Sequence, residues 1–199
     1  MTSKKKFILA VLILFGLINL NFANSLEPDV FIQSTVNRAS KLLSEDITKE
    51  EKKEKLKLIA KDTVDIKGIG LYTLGPIRKN LTDDEKTIYS KRFEEYFLKS
   101  FSSRLAEYTN PEIDVFAKEV LNKNYTIVNS TLKATSERPE IKIDWRVYTK
   151  DPEKPLIRDL IIEGLSLART QKEEFNSVIQ GADGDVKILF ANLENFNSK

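Results

Sequence analysis

A change of hydrophobic period part-way along the chain decides its fold class. Up to Asn122 apolar residues recur at steps of three and four, the spacing of one helix face; beyond it they alternate, the spacing of one strand face. Thr126, Val128, Ser130 and Leu132 alternate with Tyr125, Ile127 and Asn129. Ile141, Ile143, Trp145 and Val147 alternate with Lys142, Asp144, Arg146 and Tyr148. Leu156, Arg158, Leu160 and Ile162 alternate with Ile157, Asp159 and Ile161. The turn-like stretches Ser136 to Pro139 and Lys150 to Pro155 join these runs, which predicts three consecutive strands in an antiparallel meander.

Helices are expected on both sides of the meander. Asp29 to Leu43 follows Pro28 and carries Val30, Phe31, Val36, Ala39 and Leu43 near one stripe. Glu50 to Lys61 is rich in Lys and Glu with an apolar edge at Leu56, Ile59 and Ala60, the pattern of a solvated helix with i,i+4 pairs. Thr82-Asp83-Asp84-Glu85 is a capping box opening a long helix on which Tyr89, Phe93, Tyr96, Phe97, Phe101, Leu105 and Tyr108 share a stripe. Asn110-Pro111 ends or kinks it, and a short helix with Ile113, Phe116, Val120 and Leu121 is predicted next. After the strands, Glu163-Gly164 reads as a turn and Ser166 as the cap of a helix running to about Gln180. Gly181 to Gly184 breaks that helix, and a closing one carries Val186, Leu189, Phe190 and Leu193. Helices, then an antiparallel sheet, then helices make an α+β chain, read as a single domain over residues 24–199.

Residues 1–23 read as a leader. Lys4, Lys5 and Lys6 precede an apolar run from Phe7 to Ile18, broken only by Gly16, and Ala23 supplies the small residue at which cleavage is expected. The run is short of the ~20 apolar residues of a spanning helix. A Sec-type signal peptide cleaved near Ala23 would place the domain in the periplasm. Losing those three lysines takes the net charge from +2 to −1, with none of the clustered basicity that nucleic acid requires.

The 199 residues include no Cys and no His. That removes thiol nucleophiles, imidazole bases, zinc sites of the usual kind and any Ser-His-Asp triad. Asp159 and Glu163, with Arg158 and Arg169 nearby, read as structural ion-pairing groups rather than an acid/base pair. Asp65 reads as a helix cap, and Gly68, Gly70 and Gly75 lack phosphate-loop spacing. What remains is apolar surface: the aromatic stripe and the Ile141, Ile143, Trp145 and Val147 face. A sheet wrapped by helices in this way can enclose a carbon-lined cavity. Its expected walls are Ile69, Leu74, Phe93, Tyr96, Phe97, Phe101, Ile143, Trp145, Val147, Ile161 and Leu165. Ile66 to Ile77, with three glycines and a proline, is the expected gate.

Several stretches together resemble the toluene-tolerance (MlaC) family. They are Asp65 with Leu74-Gly75-Pro76-Ile77-Arg78, the aromatic helix with its late Tyr108, Val128-Asn129-Ser130-Thr131-Leu132, and Ile161-Ile162-Glu163-Gly164-Leu165-Ser166-Leu167. Ile77 stands where the family has Trp, Pro155 to Asp159 lacks the family's Trp, and Thr170-Gln171 replaces its Tyr-Arg. The resemblance implies a twisted antiparallel sheet wrapped by helices, with an apolar pocket between them for both acyl tails of a phospholipid. It implies a monomeric carrier without cofactor, its lipid being cargo. It further implies exchange with an outer-membrane lipoprotein complex and with an inner-membrane ABC transporter carrying an MCE-domain subunit. The residues alone leave two other readings: a small pocketed enzyme of isomerase or dehydratase type on a cone-like α+β fold, and an adaptor with a filled core. N-terminal sequencing of the periplasmic form should start within a few residues of Asn24; Lys4 to Lys6 retained on membrane-bound material would overturn the leader.

Overall fold

A computed structural model describes residues 25–199, so the leader predicted over 1–23 lies outside the described residues. Six helices and a five-stranded sheet follow one another as α1 (Pro28–Leu43), α2 (Lys49–Thr63), α3 (Ile66–Thr73), a 3-10 turn (Gly75–Lys79), α4 (Asp83–Leu105), β1 (Ile113–Asn122), β2 (Tyr125–Leu132), β3 (Ile141–Tyr148), β4 (Leu156–Ile162), β5 (Leu165–Ser166), α5 (Leu167–Gln180) and α6 (Val186–Ser198). The sheet is antiparallel throughout, in the order β1-β2-β3-β4-β5. This is the α+β architecture expected from the change of period. No helix among the described residues is long and apolar enough to cross a membrane.

Local chemistry explains most boundaries. The Thr82 hydroxyl accepts from the Glu85 amide, and the Glu85 carboxylate accepts from the Thr82 amide, closing the capping box of α4. The same reciprocal pair at Thr48 and Glu51 opens α2, a T-x-x-E signature that sequence reasoning passed over. Asp65 caps α3 by accepting from the Gly68 amide. Ser166 caps α5 through the Arg169 amide. Glu163 and Gly164 both take positive φ, at 50° and 81°, as the tight turn between β4 and β5 requires.

One element corrects the reading from sequence. The short helix predicted through Ile113, Phe116, Val120 and Leu121 is the strand β1. Its ladder to β2 pairs Val115 with Ser130 and then Ala117 with Asn129, and later Val120 with Thr126 and then Asn122 with Tyr125. Phe116 and Leu121 are therefore bulged, and each extra residue displaces the strand's alternation by one. Two bulges in ten residues turn a period of two into an apparent period of three to four. Most of that false stripe is not core either: Phe116, Val120 and Leu121 are exposed, and only Ile113 packs against the core.

The main core lies between the helices and one sheet face. Phe31, Ile32 and Val36 of α1, Ile66 and Ile69 of α3, Tyr89 and Phe93 of α4, and Phe175 and Ile179 of α5 pack with Val128, Val147 and Ile157 of the sheet. Val186, Leu189, Phe190 and Leu193 of α6 are all buried there, as their spacing predicted. Leu105 and Tyr108, the last members of the predicted aromatic stripe, pack instead in a satellite cluster around Leu42, Leu43 and Leu56.

Asp159 holds the sheet to α5. Its buried carboxylate accepts from the Ser166 hydroxyl (2.6 Å) and the Ala168 amide (3.0 Å), with Arg146 at 3.3 Å. A carboxylate at a helix N-terminus satisfies orphan amides and complements the helix dipole. Asp159→Ala should cost about 2–4 kcal/mol, because it strands those donors and leaves Arg146 unpaired; the midpoint of urea unfolding measures it.

Candidate functional site

The α4 face is a ladder of rings. Tyr89 and Phe93 stack at 5.8 Å between centroids, Phe93 and Phe97 lie 6.2 Å apart, and Phe97 and Phe101 are nearly parallel at 5.6 Å and 11°. Tyr89 also meets Phe190 of α6, and Phe93 meets Phe175 of α5 edge-on. Burial falls along the ladder: Tyr89 and Phe93 are sealed, whereas Phe97 and Phe101 are only partly covered. Trp145, Ile113 and Val115 are the partly covered residues on the sheet side of the same core. The apolar interior is thus closed at one end of α4 and reaches towards solvent at the other.

Ile69, Leu74, Phe93 and Val147 of the predicted walls are buried together in one cluster, with Tyr96, Phe97, Phe101 and Trp145 packed against it. Ile143 is buried on β3, two residues along the same sheet face from Trp145. Two residues do not belong with them. Ile161 pairs with Asp144 while Ile162 pairs with Ile143, so Ile161 points to the opposite face. Leu165 sits on the β4–β5 hairpin at 58% exposure. For Ile161 the reason is the bulge at Arg158, which changes the parity of β4 between Ile157 and Ile161.

The apolar layer is filled by its own side chains: Phe93, Val147 and Leu74 are 1%, 0% and 3% exposed. Depressions of the surface lie elsewhere, over α1 from Val30 to Lys41 and between α4 and α6 around Arg92 and Glu194. The predicted gate is also more firmly held than a lid of few contacts. A Cβ on Gly70 would come within 2.7 Å of the Phe93 ring, so α3 lies hard against α4. Thr73 adds a polar tie to Tyr89 at 2.8 Å.

Polar groups inside are spent on structure. The Ser130 hydroxyl donates to the Ile143 carbonyl (2.9 Å) and accepts from the Trp145 indole (2.8 Å). Thr73 gives its proton to the Gly70 carbonyl at 2.7 Å, so the Tyr89 hydroxyl must donate to Thr73. Burial pushes the Tyr89 phenol above its ordinary value, against a smaller opposing effect of the Thr73 hydrogen bond. Tyr96 is raised by burial as well, and its hydroxyl donates to Gln171 at 2.8 Å. Neither phenol is tuned towards acid/base work near neutrality. Among the described residues no three acidic, His or Cys side chains cluster as a metal site.

Because the phenol of Tyr89 is raised by folding, its contribution to stability is complete below the unfolded value of about 10 and is lost as pH rises above it. Tyr89→Phe should cost about 1 kcal/mol at neutral pH. Denaturation midpoints of the two proteins should converge above about pH 10.

Comparison with known proteins gives the same architecture. The family profile described as MlaC protein matches residues 33–195. A solved structure of the phospholipid-binding protein from Ralstonia solanacearum, in complex with a phospholipid, superimposes with a TM-score of 0.73. The two chains are 19% identical, and the match covers 87% of this chain and 98% of the other. A search of curated proteins finds no match.

Proposed function

This chain belongs to the MlaC protein family, and on that footing we propose that it is a periplasmic phospholipid carrier that performs no catalysis. The observation that carries the reading is that the aromatic face of α4 and the Val128, Trp145 and Val147 face of the sheet belong to one apolar cluster. Such a layer contains no group that an acyl chain would leave uncompensated. Phe97, Phe101 and Trp145 mark where tails enter, and the headgroup stays at the surface. The layers part to admit the tails, whose methylenes replace contacts among the rings, so the opened state keeps its dispersion energy. The fold shared with a phospholipid-binding protein supports this direction.

The chemistry of transfer is passive. A carrier that binds by apolar contact alone releases its cargo wherever a partner favours the open form, by population shift. The partners we assign are the outer-membrane lipoprotein complex and the inner-membrane ABC transporter with an MCE-domain subunit. The carrier works between them as a monomer and without a cofactor. Export by the leader would put it in the compartment where both are reached.

Native mass spectrometry of the purified protein should find one phospholipid per chain. Val147→Arg and Phe97→Arg each place a charge where tails lie, at several kcal/mol if the site stays dry. Both variants should purify without lipid, Phe97→Arg the better folded because its side chain already reaches towards solvent. Wild-type lipid content in either variant would move the tails to another wall.

A further inference from the structure

The α2–α3 junction is joined to the sheet by an unusual cluster. Asp65 Oδ1 accepts from the Gly68 amide at 2.8 Å, capping α3. Its other oxygen accepts from Arg158 Nε at 2.6 Å and lies 2.6 Å from Nη2 of the same guanidinium. Arg158 Nη1 donates to the Tyr125 hydroxyl at 2.6 Å, and the guanidinium sits 3.8 Å from the centre of the Tyr148 ring. Tyr125 and Tyr148 are cross-strand partners with rings 5.2 Å apart, so β2 and β3 together provide the cradle. The Asp65 amide donates to the Ile157 carbonyl, and Val64 forms a bridge to Ile157.

Arg158 reaches this position because it is bulged. The β3–β4 ladder pairs Arg146 with Asp159 and then Val147 with Ile157, leaving Arg158 out of register. A bulge re-aims a side chain, and this one sends a guanidinium away from the ladder and onto Asp65.

Among the described residues, every hydrogen bond and ion pair from α2, α3 or α4 to a strand is made at this junction. Elsewhere these helices meet the sheet through apolar side chains. The helices are meanwhile tied to one another, by Gly70 against Phe93, by Thr73 with Tyr89 and by Lys61 with Glu94.

We propose that Arg158 is a positioning residue that, through Asp65, latches the α2–α3–α4 block to the sheet and sets how fast the apolar layer opens to exchange lipid. This rests on the carrier reading above. Apolar contacts are non-directional and can be remade with acyl chains, whereas the fork of Arg158 has one partner geometry and no lipid tail can replace it. Opening therefore has a discrete step, and lysine would not reproduce it, since it lacks both the fork and the stacking plane.

The test uses Asp65→Asn, which keeps an oxygen to cap α3 while removing the charge, and Arg158→Met. Each protein is loaded with phosphatidylethanolamine carrying a fluorescent acyl chain, and transfer to phosphatidylcholine vesicles is timed. Both variants should release about tenfold faster with unchanged lipid per chain. The double variant should be no faster than either single one. In lipid-free protein, amide exchange through Ile66–Thr73 should rise while β3 keeps its protection. Wild-type release rates, or a loss of protection spread evenly over the sheet, would overturn the latch and leave the carrier standing. If the wild-type chain takes up no labelled lipid, the carrier reading falls and the latch with it.

Discussion

The apolar core in which Tyr89 and Phe93 of α4 cluster with Val128 and Val147 of the sheet is the feature on which the remaining elements depend. Side chains of this size each contribute roughly 1.5–3 kcal/mol when fully buried, so a handful of them amounts to much of a domain's net stability. The flanking helices are arranged to complete it. α3 presses Gly70 against Phe93, α5 brings Phe175 to the ring's edge, and α6 adds Phe190 beside Tyr89. These three helices are capped at their starts by Asp65, Ser166 and Asp185, so local and global preferences agree.

That layer explains why the chain can dispense with His and Cys. Its polar groups serve as fasteners. Ser130 joins β2 to β3 inside the core, Asp159 fixes the start of α5, and the Thr73–Tyr89 pair ties α3 to α4. With these hydroxyls and this carboxylate committed, the interior offers shape and carbon rather than reactivity. A site of this kind discriminates weakly by chemistry and mainly by the size of what it accepts. That suits the phospholipid proposed as its ligand.

Much of this was legible beforehand because the signals are short-range. The Thr82 capping box, the period-two alternation of β2 to β4, the Glu163-Gly164 turn and the buried stripe of α6 each rest on residues a few positions apart. Where strand residues were misplaced, the register of a partner strand was the reason. β1 looked helical because Phe116 and Leu121 are bulges, defined only by the register of β2. Ile161 was expected in the wall, but the bulge at Arg158 changes the parity of β4, so that Ile157 pairs with Val147 while Ile161 pairs with Asp144 and turns outward. The Asp65–Arg158 contact spans 93 residues and had no local signature beyond a capping aspartate.

From its sequence alone the chain is committed to helices around an antiparallel meander, to an apolar interior, and to chemistry without thiol or imidazole. Those properties depend on residue type and on spacing of a few positions, which the chain carries wherever it goes. Tertiary structure decided which apolar residues meet, that the layer is sealed around Phe93 and Val147, and that, among the described residues, the polar ties from the α2–α4 block to the sheet fall at one junction. Those outcomes depend on register, bulges and approach distances between segments far apart in the chain, and no one-dimensional pattern encodes them.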